Sequence, residues 1–203
     1  KQHLLNMSLV SPTPTAVTAR LIVVDYLLYY PSLVVTGAPT ALNNTATLPR
    51  YTDGVGVKAF ISVQTALGAT QPALTFSYTD QAGNTGNTAL AMTSPGASAP
   101  VSTCFQNNGG LFMPLSGSDT GIRKLDSYTL ATGTTGTVSA VLCKPLFEIP
   151  ITVVNSMVQV DALAQIPSLP KIEDGACLGF VVLVGGAMVA GASFQGSMKT
   201  VWG

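Results

Sequence analysis

The chain has 203 residues, of which 9% are charged against roughly 25% in a typical soluble domain, and nine Lys and Arg balance nine Asp and Glu. Only Arg123 and Lys124 are adjacent among the basic residues, so there is no stripe to neutralise a phosphate backbone, and nucleic acid is not an expected partner. So little charge also keeps a lone monomer poorly dissolved, and much of the surface is expected to lie against other subunits.

Residues 1–19 read as an extended N-terminal arm or linker. They contain Ser11-Pro12-Thr13-Pro14-Thr15 and show no periodicity of their own. Lys1-Gln2-His3 leads into a short mixed run that does not read as a signal peptide. From Arg20 onward, short apolar or alternating runs recur between turn signals, the rhythm of an all-β chain. Arg20–Tyr30 is the first, a strand by its β-branched start and by Pro31, with a short helical end as an option. Ser32–Val35 continues it toward a turn at Gly37-Ala38-Pro39.

In the strand 55–65, Val57, Ala59, Ile61 and Val63 face one way, and Lys58, Phe60, Ser62 and Gln64 the other. Leu74, Phe76 and Tyr78 alternate with Thr75, Ser77 and Thr79 in a half-buried strand. A Gly- and Asn-rich turn over 80–87 then leads to a hairpin partner at 88–93. Leu111–Leu115 is a short apolar run. Gly121–Leu130 and Thr137–Leu146 flank a flexible turn at 131–136 and read as antiparallel strands. Pro145 and Pro150 put Leu146–Ile149 at a sheet edge. Met157–Ile166 is a helix candidate short enough to be extended instead, and Leu178–Val184 and Ser193–Trp202 are closing strands. Between them, Gly185-Gly186 breaks the apolar run 178–192, which is too short to span a bilayer as a helix and reads as strand, turn and strand. About eight to ten strands suffice for two packed antiparallel sheets, so residues 20–203 are expected to form a jelly-roll-like β-sandwich.

Reactive chemistry is sparse. The one histidine, His3, sits in the expected arm, badly placed to serve a nucleophile. Cys104, Cys143 and Cys177 adjoin apolar residues and read as buried thiols without a disulfide or zinc framework. Asp53, Asp119 and Asp174 stand at the starts of turns, where Asp caps its own backbone two residues on. Glu173-Asp174 is the only adjacent acidic pair, and a glycan-cleaving pair of carboxylates is the enzyme alternative. Asp80 with Asn84, or Asp119 with Asp126, is the weak calcium alternative to turn use. Gly54-Val55-Gly56 leads into a strand and so makes no phosphate cradle. Phe76, Tyr78 and Phe180 lie in alternating or apolar runs and read as core, whereas Tyr29, Tyr30 and Tyr51 are surface candidates. With Pro12 and Pro14 of the arm, these three tyrosines make up the expected interface. No catalytic residue, cofactor or metal is expected.

Four stretches carry a family likeness: Leu48-Pro-Arg-Tyr-Thr-Asp-Gly54, Ser77-Tyr-Thr-Asp-Gln-Ala-Gly-Asn-Thr-Gly86, Gly117-Ser-Asp-Thr-Gly-Ile-Arg123 and Leu142-Cys-Lys-Pro-Leu146. This series resembles a family of tailed-bacteriophage virion proteins, whose members read "SYTNxAGTxGR", then "GDTGVRSVxSxTL", then a strand ending near "PL". The segment from Leu169 to Gly203 also looks like the family's C-terminus. Asn87 departs from the pattern, where relatives carry Arg. The resemblance implies a structural role in the virion, assembled in the host cytoplasm. As a head decoration or cement protein the chain would form a homotrimer resting on the major capsid protein, away from any membrane. The alternative is a tail, baseplate or fibre component with a host- or carbohydrate-binding face.

Overall fold

The computed structural model describes residues 2–12, 18–36, 42, 44–166, 168–184 and 191–203. Pro14 and the turns expected at Gly37-Ala38-Pro39 and Gly185-Gly186 lie outside the described residues. The chain is all-β with three antiparallel sheets, and its only described helix is α1, Ala162–Gln165. It divides into two compact units, one made of Lys1–Asp25 with Pro145–Gly203 and the other of Tyr26–Lys144. Strands β2 (Ala19–Val34) and β8 (Thr137–Ile151) each contribute residues to both units. They lie in a sheet of order β11-β2-β8-β3, in which β11 is Leu178–Val184 and β3 is Lys58–Thr65.

In the first unit, residues 2–10 of the expected arm form the centre of a sheet. β1 (Gln2–Val10) pairs on one edge with β12 (Gln195–Trp202), from Gln2 opposite Trp202 to Val10 opposite Gln195. Its other edge takes β9 (Val158–Asp161) and β10 (Lys171–Ile172). The strand escaped the sequence reading because both its faces are covered, so Asn6 and Ser8 are buried alongside Leu4, Met7 and Leu9 and no alternation results. The Ser8 hydroxyl is satisfied across the ladder by that of Ser197 at 2.9 Å. The core of this unit joins Leu4, Leu9, Leu21, Val23, Phe147, Ile149 and Ile172. The helix candidate at Met157–Ile166 resolves into β9 followed by α1, whose first turn is capped by Asp161 accepting from the Leu163 N–H at 2.9 Å.

The second unit holds the alternating strands as expected. Val57, Ala59, Ile61 and Val63 are buried in its core with Leu74, Phe76 and Tyr78. β4 (Ala73–Asp80) pairs along its length with β7 (Ile122–Thr132) and with two short strands, β5 (Asn87–Thr88) and β6 (Met92–Thr93). The hairpin partner expected at 88–93 is thus split in two.

β7 and β8 are consecutive but lie in different sheets, β7 beside β4 and β8 beside β3. The turn between them does not close a hairpin because other segments grip its backbone. Thr134 N–H donates to the Val35 carbonyl at 2.7 Å, and Gly68 N–H donates to the Thr135 carbonyl at 3.1 Å. β2 runs straight through Pro31 with no helical end, aided by Ser32 at φ +56°, whose N–H donates to Gln64 Oε1 at 2.8 Å. Pro145 and Pro150 are absorbed into β8 beyond Cys143, where its ladder to β3 ends.

Candidate functional site

Residues of all four stretches that carry the family likeness, with Lys144 from the last, meet in the second unit. Tyr78 is at the middle, fully buried near the end of β4. Its hydroxyl donates to Asp119 Oδ2 at 2.6 Å and accepts from the Ser116 N–H at 2.7 Å. Gln81 follows in the turn after β4, and its Oε1 accepts from the N–H groups of Thr120 and Gly121 at 3.0 and 3.2 Å. Arg123 reaches back to the same turn, donating from Nη2 and Nε to the Gln81 carbonyl at 2.7 and 3.2 Å. The Asp53 carbonyl accepts a further, longer bond from Arg123 Nε at 3.4 Å.

The 54–56 segment is pressed against 120–121. Gly56 N–H donates to the Thr120 carbonyl at 3.1 Å, and Val55 bridges Gly121. A Cβ on Gly121 would lie 1.9 Å from the Gly54 carbonyl oxygen and 2.7 Å from the Gly56 nitrogen, so only glycine permits this approach. Lys144 closes the cluster by donating to the Val55 carbonyl at 2.8 Å, with its ammonium 5.4 Å from the Tyr51 ring centroid.

The carboxylates of this junction accept from backbone and side-chain donors. Asp53 Oδ1 accepts from Val55 N–H at 3.1 Å, the expected cap. Asp80 Oδ1 accepts from the N–H groups of Ala82 and Asn84 at 2.8 and 2.9 Å, and Oδ2 accepts from Asn84 Nδ2 at 2.8 Å. These donors, the Asn84 side chain foremost, hold the Asp80 carboxyl below its ordinary range. Burial first, and then the bond to Asp119, push the Tyr78 phenol up to about 12. Asp119 serves Tyr78, a partner not evident from its turn position.

The expected interface residues separate. Tyr29 is exposed at 48%, and its hydroxyl accepts from Gln64 Nε2 at 3.3 Å. Tyr30 is fully buried and is no surface residue; its hydroxyl accepts from the Leu125 N–H at 3.2 Å. It points opposite to its neighbour because side chains alternate along β2. Tyr51 is half-buried against the core at φ +51°, and Pro12 is half-buried. Phe180, expected in the core, is 55% exposed on β11. Of the cysteines, Cys143 is buried, Cys104 half-buried and Cys177 exposed, so the buried-thiol reading fails at Cys177. His3 lies within β1, opposite Val201 and Lys171.

Two concavities accompany this framework. In the second unit a cavity of about 430 Å³ is lined by Tyr26, Tyr29, Phe60, Ser62, Ser139 and Val141, with Leu27 and Leu28 behind. The sequence signal for it was Phe60, the one apolar residue on the polar face of β3. In the first unit, a smaller one of about 240 Å³ is lined by Gln2, Ile172, Glu173, Asp174 and Trp202 among others. Trp202 is 72% exposed, and Glu173 is ion-paired with Lys171. Among the described residues no group of three or more His, Cys, Asp or Glu is placed to hold a metal ion, and no helix is long and apolar enough to cross a membrane. Comparison with protein-family models, curated proteins and solved structures returned no match.

Proposed function

We propose that the protein is a structural component of a tailed-phage virion, a head decoration or cement protein that stabilises the capsid through subunit contacts. In this reading its sheets form a jelly-roll-like sandwich, and three copies rest on the major capsid protein. The observation that carries the reading is the junction of the second unit. There the residues that resemble the virion family bond to one another and to backbone, which is the work of a scaffold. Support also comes from large apolar side chains at the surface, among them Tyr29, Met157, Leu163, Phe180 and Trp202, which a neighbouring subunit would cover.

The test is to purify particles and locate the chain with gold-labelled antibody. Label on the head is expected, and absence from intact particles would contradict the proposal. Label on the tail would support the second reading, a host- or carbohydrate-binding component. The concavity beside Trp202 favours that reading, because an exposed aromatic face next to carboxylate and amide acceptors suits a saccharide. Saturable binding on a glycan array, lost in Trp202→Ala, would establish it.

A further inference from the structure

The cavity on β3 and β8 is built from an exchange of sizes. Ser62 and Ser139 are direct cross-strand partners, as are Phe60 and Val141. The two serines are small where the surrounding residues are large, so they form a floor below walls of Phe60, Tyr26 and Tyr29. Tyr26 and Phe60 are tilted at 60° with centroids 6.2 Å apart, a wedge instead of a flat platform. Phe60, Ser139 and Val141 are buried residues that nevertheless line this cavity.

Three properties define what fits. None of the lining residues carries a formal charge, so an ion entering would lose hydration without a counter-charge. The walls are aromatic and aliphatic, suited to a ring. One hydroxyl has spare capacity: Ser139 Oγ makes a long bond of 3.4 Å to the Ser62 carbonyl and can take another partner, whereas the Ser62 side chain is engaged by Cys104. A volume of about 430 Å³ falls within the range of small-ligand sites and holds a single substituted ring.

We propose that this cavity binds one uncharged aromatic ring carrying a hydroxyl, the ring against Tyr26, Tyr29 and Phe60 and the hydroxyl at Ser139. The ring belongs either to a free small phenol or to a tyrosine side chain of a neighbouring chain, since both present the same chemistry. The site is independent of whether the protein resides in a virion.

The test is a titration of the full chain with p-cresol, followed by amide chemical shifts. Saturable shifts confined to residues 26–29, 60–62 and 139–141 are expected, with Kd in the millimolar range, on the order of 1–5 mM for so small a ligand. Toluene, lacking the hydroxyl, should bind about 3- to 10-fold more weakly. Ser139→Leu, which fills the floor, should abolish binding, and Tyr29→Ala at the exposed wall should weaken it about 3- to 10-fold without touching the core. N-acetyltyrosinamide tells the sources apart: comparable binding assigns the ring to a protein side chain, and exclusion assigns it to a free ligand. Absence of saturation to about 20 mM, or shifts that survive both substitutions, would overturn the proposal.

Discussion

The unit spanning Tyr26–Lys144 ties its segments together by side chains that reach distant residues, whereas the unit of Lys1–Asp25 and Pro145–Gly203 is held mainly by strand ladders, three of them on β1. In the former, Tyr78, Gln81, Arg123 and Lys144 each bond to a residue about 40 or more positions away. In the latter, β1 joins three strands by ladder bonds, with the Ser8–Ser197 pair and the Cys177 N–H to Asp25 bond among the few side-chain additions. The difference teaches where each is vulnerable. A ladder fails when a strand is removed, and a bonded junction fails when one atom is added or lost.

Removing residues 1–10 should therefore have the largest effect. Without β1, strands β9, β10 and β12 lose the partner they pair with, and their amides should exchange freely while those of β4 and β7 keep their protection. Equal loss in both units would break the comparison.

Gly121→Ala comes next. Its Cβ would meet backbone on two sides, and a loss of about 4 kcal/mol is expected from urea unfolding. Gly86→Ala is the control, because open space surrounds that position and only the left-handed backbone at φ +78° opposes a side chain, at roughly 1–2 kcal/mol.

Tyr78→Phe should cost about 2 kcal/mol, since it strands the Ser116 N–H and removes the donor to Asp119. The same hydroxyl sets an alkaline limit. With its folded pKa raised to about 12 from the ordinary tyrosine value of 10.0, the folded state holds the proton that the unfolded state releases. Stability is therefore full below pH 10 and falls as pH rises from there toward 12, and Tyr78→Phe should flatten that decline.

Asp80→Asn should give the smallest change of the four, a difference from the wild type that is present at neutral pH and vanishes in acid. The folded carboxyl sits below its ordinary pKa, so its stabilisation is present above the unfolded value and is lost as pH falls through the folded one. The urea midpoint of the wild type should drop below about pH 4, and the variant should lose part of that slope.

Much of the second unit was legible because its strands obey a period of two. Val57 to Val63 and Leu74 to Tyr78 alternate since only one face meets the core. β1 was illegible for the opposite reason: covered on both faces, it buries Asn6 and Ser8 and shows no period. The turn at 131–136 signalled a hairpin by composition, but the partners that bind it, Val35 and Gly68, lie too far along the chain to be read locally. The motif residues stood out as a set, and Asp53 announced its cap. That Gln81 and Arg123 would bind one another, and that Tyr30 would turn inward while Tyr29 stayed out, required the third dimension.

The central claim is that the four family-like stretches act as one structural lock. Native-state hydrogen exchange on Arg123→Ala tests it most directly, because Arg123 joins the junction by its bonds to the Gln81 and Asp53 carbonyls. The account predicts that the amides of Gly56, Asn84, Ser116 and Gly121 lose protection together and by the same factor. Loss confined to the residues flanking position 123, with the other amides unchanged, would contradict it.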